Sequence, residues 1–297
     1  MRRTAGVVAT AVDGGTTASA PSTHPLAATL QRGRELTHGG YDLSVPLGFT
    51  SEDGWMPVAA LLGDARKLDE TLAAFGREVG SSRRDVQASL LLETYAWRLV
   101  LPLAGALLAE SRVPTPGLDG TALRLSGGGL PCSIRLLQGR FAVLPGDPAR
   151  EHPDADVVCN RSVLDLCLRS WLIAHFDPLV EKLNAASGRP RAALWRSVAD
   201  RTATALLYAG LASNRPAAAR TIAARTLAGD PPLRYPPRYI DIGEQSVHLR
   251  HGCCLWWRTD AATTCLTCPL RVARGNRAAP CIERAEPRRP PADPQSR

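Results

Sequence analysis

Apolar residues recur at helical spacing through most of the middle of the chain. Between Met56 and Val79 the repeat runs through Leu61, Leu62, Leu68, Leu72 and Phe75, with Gly80 placed to stop the helix. Ser82, with Asp85 three residues on, resembles a capping box that starts the next helix. Along that helix Val86, Leu90, Glu93, Trp97 and Val100 form one line, and Leu91, Tyr95, Leu99 and Leu103 another. A helix apolar around so much of its circumference belongs at the centre of a fold. Pro102 is expected to kink it.

From residue 113 to 145 the period changes. Short apolar runs alternate with Gly and Pro, predicting two or three strands with turns at Gly127–Gly129 and near Gly139. Helical spacing returns near Ser162, where Val163, Leu166, Cys167, Ser170, Trp171 and Ala174 share one face. That face places Cys167 toward the core and His175 at its border, as a packed, hydrogen-bonded histidine. Asp177-Pro178 predicts a break, and Gly188 follows the last turn. A further helix carries Leu194, Val198, Arg201 and Ala205 on one line and Trp195, Ala199, Thr202 and Leu206 beside it; another spans Pro216 to Leu227. The four prolines between Gly229 and Tyr239 make a stiff connector, after which "YIDIGEQSVHLRHG" alternates like two strands about a turn at Gly243-Glu244.

These patterns predict an α+β fold: a predominantly helical body with a few short strands over 41–240, then a small C-terminal segment over 241–281. Residues 1–40 lack a sustained period and read as a flexible leader; Tyr41–Phe49 holds a short strand cut by Pro46; residues 282–297 read as a disordered tail.

Composition adds little and excludes more. The chain has 297 residues, 44% hydrophobic and 22% charged, within the range of ordinary globular proteins. Its net charge of +8 comes almost wholly from arginine, since Lys67 and Lys182 are the lysines. The arginines are scattered without a stripe or an aromatic-basic module, so no nucleic-acid partner is expected. "MRRTAGVVATAVDGGTTASA" imitates a signal peptide, but its apolar run stops at Asp13-Gly14-Gly15, and a cytoplasmic location with reduced thiols is expected. Nucleotide-binding glycine loops, zinc-protease and serine-hydrolase motifs do not appear. Trp97 and Trp195 are expected in core packing, and no catalytic acid or base can be named.

The chemistry lies in "HGCCLWWRTDAATTCLTCPLRV" (251–272), which holds Cys253, Cys254, Cys265 and Cys268 out of eight cysteines. A vicinal disulfide is strained. Tetrahedral zinc is usually gripped by two C-x-x-C knuckles; Cys265–Cys268 is one, but adjacent side chains such as Cys253 and Cys254 point apart along an extended chain. A [2Fe–2S] cluster takes four thiolates, two per iron, and presents an elongated target that adjacent thiols reach more readily. Which cysteines share an iron stays open. Trp256 and Trp257 are placed to shield the sulfurs, Gly252 to give backbone freedom, and Arg250, Arg258 and Arg271 to raise the cluster's potential.

The spacing C-C-x10-C-x2-C, with aromatics after the vicinal pair and Pro269 after the last cysteine, resembles the FhuF-type ferric-siderophore reductases. "YAWRLVLPLAGALL" and "LWRSVAD" resemble two helical segments of that family. The resemblance implies that Cys253, Cys254, Cys265 and Cys268 ligate a [2Fe–2S] cluster. It also implies that single electrons pass to siderophore-bound iron(III), releasing iron(II) in the cytoplasm. The implied partners are a ferric siderophore, an external electron donor (a ferredoxin or a flavin- or NAD(P)H-dependent reductase) and, peripherally, a membrane siderophore importer. Two rivals are a zinc-stabilised siderophore-related binding protein and an iron–sulfur redox sensor.

Overall fold

The structure is a computed structural model that describes residues 24–36, 54–242, 245–265 and 267–270. Helix α1 (Pro25–Leu36) is followed by β1 (Trp55–Pro57), α2 (Val58–Gly63), α3 (Ala65–Glu78) and the long α4 (Arg84–Glu110). Five short strands come next: β2 (Val113–Pro114), β3 (Thr121–Leu125), β4 (Pro131–Leu136), β5 (Phe141–Val143) and β6 (Ala155–Val157). Then come α5 (Arg161–Ser187), α6 (Arg191–Ala212) and α7 (Pro216–Leu227), the hairpin of β7 (Arg238–Ile242) and β8 (Gln245–Leu249), and a 3-10 turn at Trp256–Arg258. The class is α+β with a helical body, as the periodicity predicts.

Helix α4 is the axis. It packs against α1, α3, α5 and α6, and Leu99, Leu103 and Leu107 are buried. Its length and composition would let it cross a membrane, but 83% of its most apolar stretch is covered by the rest of the fold. Pro102 lies inside it without ending it. The strands form three small sheets, ordered β1-β3-β4, β2-β5-β6 and β7-β8; all pairs are antiparallel except β5–β6. The β3–β4 turn falls at Gly127–Gly129 as predicted, with Gly129 at φ +79°, a backbone that suits glycine.

Several expectations need correction. Residues 25–36 of the presumed leader form α1. Its Leu26 and Leu30 are buried, and a Cβ on Gly33 would lie 2.9 Å from Ala106 N of α4. The expected helix over 56–79 is split: Asp64 leaves helical geometry and its side chain accepts from Lys67 N, capping α3. The cap of α4 is Arg83, not Ser82, with no side-chain capping bond. α5 runs unbroken through Pro178. Its buried face is Leu164, Leu168, Trp171, Leu172 and His175, while Leu166 is 54% exposed. Asp165 and Arg169 occupy core-facing positions instead, which shifts the face by about one residue. Asp165 meets Arg161 and Arg225, and Arg169 donates to the carbonyls of Thr226 and Leu233. Cys167 is partly buried against the core. The strand at Tyr41–Phe49, the turn at Gly243-Glu244, Arg271, Cys281 and the tail lie outside the described residues.

Candidate functional site

The C-terminal segment begins where β8 lays its last residues against α6. Four side chains set that docking. Arg250 is buried and forms a two-pronged pair with Glu93 of α4, Nη1 to Oε2 at 2.9 Å and Nη2 to Oε1. Arg201 of α6 donates to the same carboxylate from Nε at 2.7 Å. Burial acts to raise the Glu93 carboxyl, and the charges of Arg250 and Arg201 overcome it and hold it at about 2. Asp200, one residue before Arg201, accepts from the backbone N–H of His251 at 2.8 Å and of Gly252 at 2.9 Å. Burial raises this second carboxyl to about 6, against Arg250 and those two N–H donors. A buried acid thus holds the backbone just ahead of the vicinal cysteines, and a buried ion pair holds the residue before it.

Gly252 serves a different end from the one its sequence position implies. It is not at positive φ; a Cβ there would lie 3.0 Å from Cβ of Arg196, so glycine permits close approach to α6. The left-handed residue is Leu255, at φ +66°. That conformation is uncommon outside glycine. It turns the chain so that Leu255 N–H points back at Cys253 Sγ, 3.4 Å away. Arg189, just past the end of α5, donates to the Cys253 carbonyl at 2.9 Å.

The four predicted cysteines come together here. Cys254 and Cys268 are buried, and Cys253 and Cys265 half-buried. Cys265–Cys268 forms the expected turn, closed by Cys268 N–H to Cys265 O at 3.0 Å, and Arg250 N–H reaches Thr267 O at 3.4 Å. Cys254 and Cys265 hydrogen-bond to each other. That bond lowers the Cys254 thiol, favouring its thiolate, and raises Cys265. Burial pushes the Cys253 thiol up, against hydrogen bonds from Leu255 N–H and the Trp257 indole. Trp256 and Trp257 stand at the rim, 37% and 38% exposed. Of the arginines expected to tune the site, Arg250 is neutralised by Glu93, and Arg258 lies over the Trp257 ring 3.6 Å from Asp85.

Other candidates resolve as packing. His175 is buried between Tyr95 Oη at 2.7 Å and the Pro116 carbonyl at 3.3 Å, and Trp195 is buried. Trp97 packs against Tyr208 and the Arg201 guanidinium. Cys132 donates to Arg124 O. Glu93, Asp200, Arg201, His248 and His251 are the residues sequence reasoning passed over. A signal was present: Glu93 and Arg201 each interrupt an apolar line, with opposite charge, on helices that pack together.

No curated protein matches the chain. Among solved structures it is similar to the aerobactin synthetases IucA and IucC from a hypervirulent pathotype of Klebsiella pneumoniae. Each is 15% identical, with TM-scores of 0.41 and 0.42; the likeness covers 52% and 57% of this chain and 29% and 32% of theirs. The chain thus spans about a third of those enzymes. The family described as "Ferric iron reductase FhuF-like transporter" matches residues 89–246. That match takes in Glu93, Asp200 and Arg201 and ends before Cys253. It covers more than half of the chain, and this protein belongs to the FhuF-like ferric iron reductase family.

Proposed function

We propose that the protein is a ferric-siderophore reductase in which Cys253, Cys254, Cys265 and Cys268 hold a [2Fe–2S] cluster. The observation that carries the reading is the assembly of these four thiols at one docked loop, in a chain of this family. The donor set fits the group: four thiolates, with Leu255 N–H and the Trp257 indole directed at Cys253 sulfur. A vicinal pair of thiols suits a longer, two-iron target better than a single zinc ion, which is usually gripped by two C-x-x-C knuckles. When bound, such a cluster supplies one-electron transfer.

The chain's own residues supply position and shielding. The Glu93–Arg250 pair and Asp200 fix the backbone on either side of His251. The buried sulfurs of Cys254 and Cys268 face inward, and Cys253 and Cys265 stand nearer the surface, where Trp256 and Trp257 limit water. Hard-oxygen chelators hold iron(III) far more tightly than iron(II), so one electron loosens the metal without an acid or base. The electron donor is external, a ferredoxin or a flavin- or NAD(P)H-dependent reductase. The site of action is the cytoplasm, with peripheral contact to a siderophore importer.

Anaerobically purified protein tests the reading. Iron and sulfide near two per chain are expected, and the dithionite-reduced protein should release iron(II) from ferric hydroxamates or catecholates, measured by a ferrous chelator. Colourless protein holding one zinc in a sulfur shell would overturn it. An intact cluster without reduction of any chelate type would favour the sensor.

A further inference from the structure

Beside the cysteines lies a second group of metal-ligating side chains that the cluster does not use. Asp200 of α6, His248 of β8 and His251 each offer one donor atom, and the three atoms lie within 4.8 Å of one another. His248 is 3% exposed, and neither ring nitrogen has a hydrogen-bond partner. Leaving such nitrogens unsatisfied costs about 1–3 kcal/mol, so something normally fills the space beside them. His248 Nε2 stands 4.0 Å from Asp200 Oδ1. That is too long for a hydrogen bond and close to the span between two ligands of one metal ion. His251 Nε2 lies 3.0 Å from the Pro236 carbonyl. A carbonyl only accepts, so Nε2 carries the proton and Nδ1 keeps a lone pair. Fixing a ligating imidazole through its other N–H to a backbone carbonyl is the usual outer support of a metal-bound histidine.

The charge around the trio is mixed: Arg250, Arg238 and Arg196 all act on its histidines, beside the Asp200 carboxylate. Arg250 and Arg201 both bond to Glu93. Asp200 receives backbone N–H groups, and its nearest cation, Arg250 Nε, is 3.7 Å away. Asp200 is therefore a fully buried carboxylate that takes no hydrogen bond from a cationic side chain, with Arg250 at ion-pair distance. The Tyr239 hydroxyl, on the register partner of His248, is likewise buried without a partner. The other convergent trio, His24, His152 and Asp154, is different. Its histidine Nδ1 atoms accept from Leu26 N–H and Asp154 N–H, and His24 Nε2 bonds to Asp154.

We propose that Asp200, His248 and His251 bind one divalent first-row transition metal ion, separately from the four cysteines. Two imidazoles and a carboxylate suit zinc and iron(II) alike. If iron is reduced at the neighbouring loop, iron(II) is the ion this site meets; that choice of ion rests on the reductase reading, and the site does not.

Equilibrium dialysis of the full-length holoprotein against Zn(II), with X-ray absorption at the zinc edge, tests it. The expected result is one zinc per chain in a shell of nitrogen and oxygen at about 2.0–2.1 Å. His251→Gln and His248→Gln should each weaken binding by at least about 10-fold. His251 is half-exposed, so its replacement should leave the circular dichroism unchanged and keep the test valid if the His248 variant unfolds. Zinc should still bind in Cys254→Ser, whatever that variant does to the cluster. No zinc bound by folded holoprotein, a sulfur shell, or wild-type affinity in the folded His251 variant would each overturn the site.

Discussion

The α4–α6 interface and the cysteine segment are held by opposite means. The first is mainly apolar contact, in which Leu92, Leu99, Leu103, Leu194, Val198 and Leu206 are all buried and the Arg201–Glu93 pair is the polar exception. The second has one short hairpin and an irregular loop, and its anchors are polar: Arg250 to Glu93, Asp200 to two backbone N–H groups, Arg189 to the Cys253 carbonyl, and Asp260 N–H to Gly80 O at 3.0 Å. Apolar contact is proportional to area and forgiving of direction. A buried ion pair gives little net stability, because desolvation offsets attraction, but it works in one geometry and is costly to break by halves. A site that must place four sulfurs gains from the second kind of anchor.

Breaking each region separately should therefore have different signatures. Glu93→Gln leaves Arg250 buried without its charge partner and should cost about 3–5 kcal/mol in urea unfolding. Cys254 and Cys268 should also react with a thiol reagent, in cluster-free protein, before the helical body unfolds. Unchanged thiol reactivity would mean that the ion pair does not hold the segment. Leu99→Ala makes a cavity in the body and should cost about 3 kcal/mol. Its thiol reactivity below the unfolding transition should equal that of the wild type.

The same contrast explains what the sequence made legible. α7 is read to the residue, because Pro216 opens it and the apolar period ends at Leu227. Both buried lines of α6 are read correctly, apart from Arg201. The C-x-x-C turn and the two strands before it are local in sequence and were also legible. What failed was polarity in the core. On α5, Asp165 and Arg169 look like solvent-facing residues, so the buried face was drawn through Leu166 instead of Leu164 and Leu168. The same blindness hid the roles of Glu93 and Asp200, and it assigns Arg250 to the cluster's potential when its partner is Glu93. A charge on an apolar line reads as a flaw in the pattern until its partner is known, and the partner of Glu93 lies at residue 250. α1 was missed for a related reason: its buried stripe includes Gly33, which packs through the absence of a side chain.

pH separates the clamp from the body. The folded-state pKa of Glu93 is depressed from 4.5 to about 2. Its contribution is complete above about 4.5 and is lost as pH falls from there toward 2; the loss should be on the order of 2–3 kcal/mol. Unfolding followed across that window should show the loss in wild type and in Leu99→Ala, and not in Glu93→Gln. Asp200 has the opposite sign and a higher window: its pKa is raised to about 6, so its contribution falls as pH rises from about 4 to 6. The two slopes are separable.

The smallest effect tests whether the segment is also held by fit. Gly252 sits where a Cβ would lie 3.0 Å from Cβ of Arg196, an atom fixed to the α6 backbone. Because Gly252 is not at positive φ, alanine meets no backbone strain there. Two terms then compete in Gly252→Ala. Reduced freedom of the unfolded chain favours the variant by about 0.4–1 kcal/mol, while overpacking typically costs about 1–3 kcal/mol. The contact cannot be relieved by rotating a side chain; it needs the loop to lift from α6, lengthening the Asp200 bonds to His251 and Gly252. We expect a net loss of about 1 kcal/mol in urea unfolding, with a measurable rise in Cys254 reactivity. Net stabilisation with unchanged reactivity would show the loop free to lift, and would leave its polar anchors, without close fit to α6, to hold it.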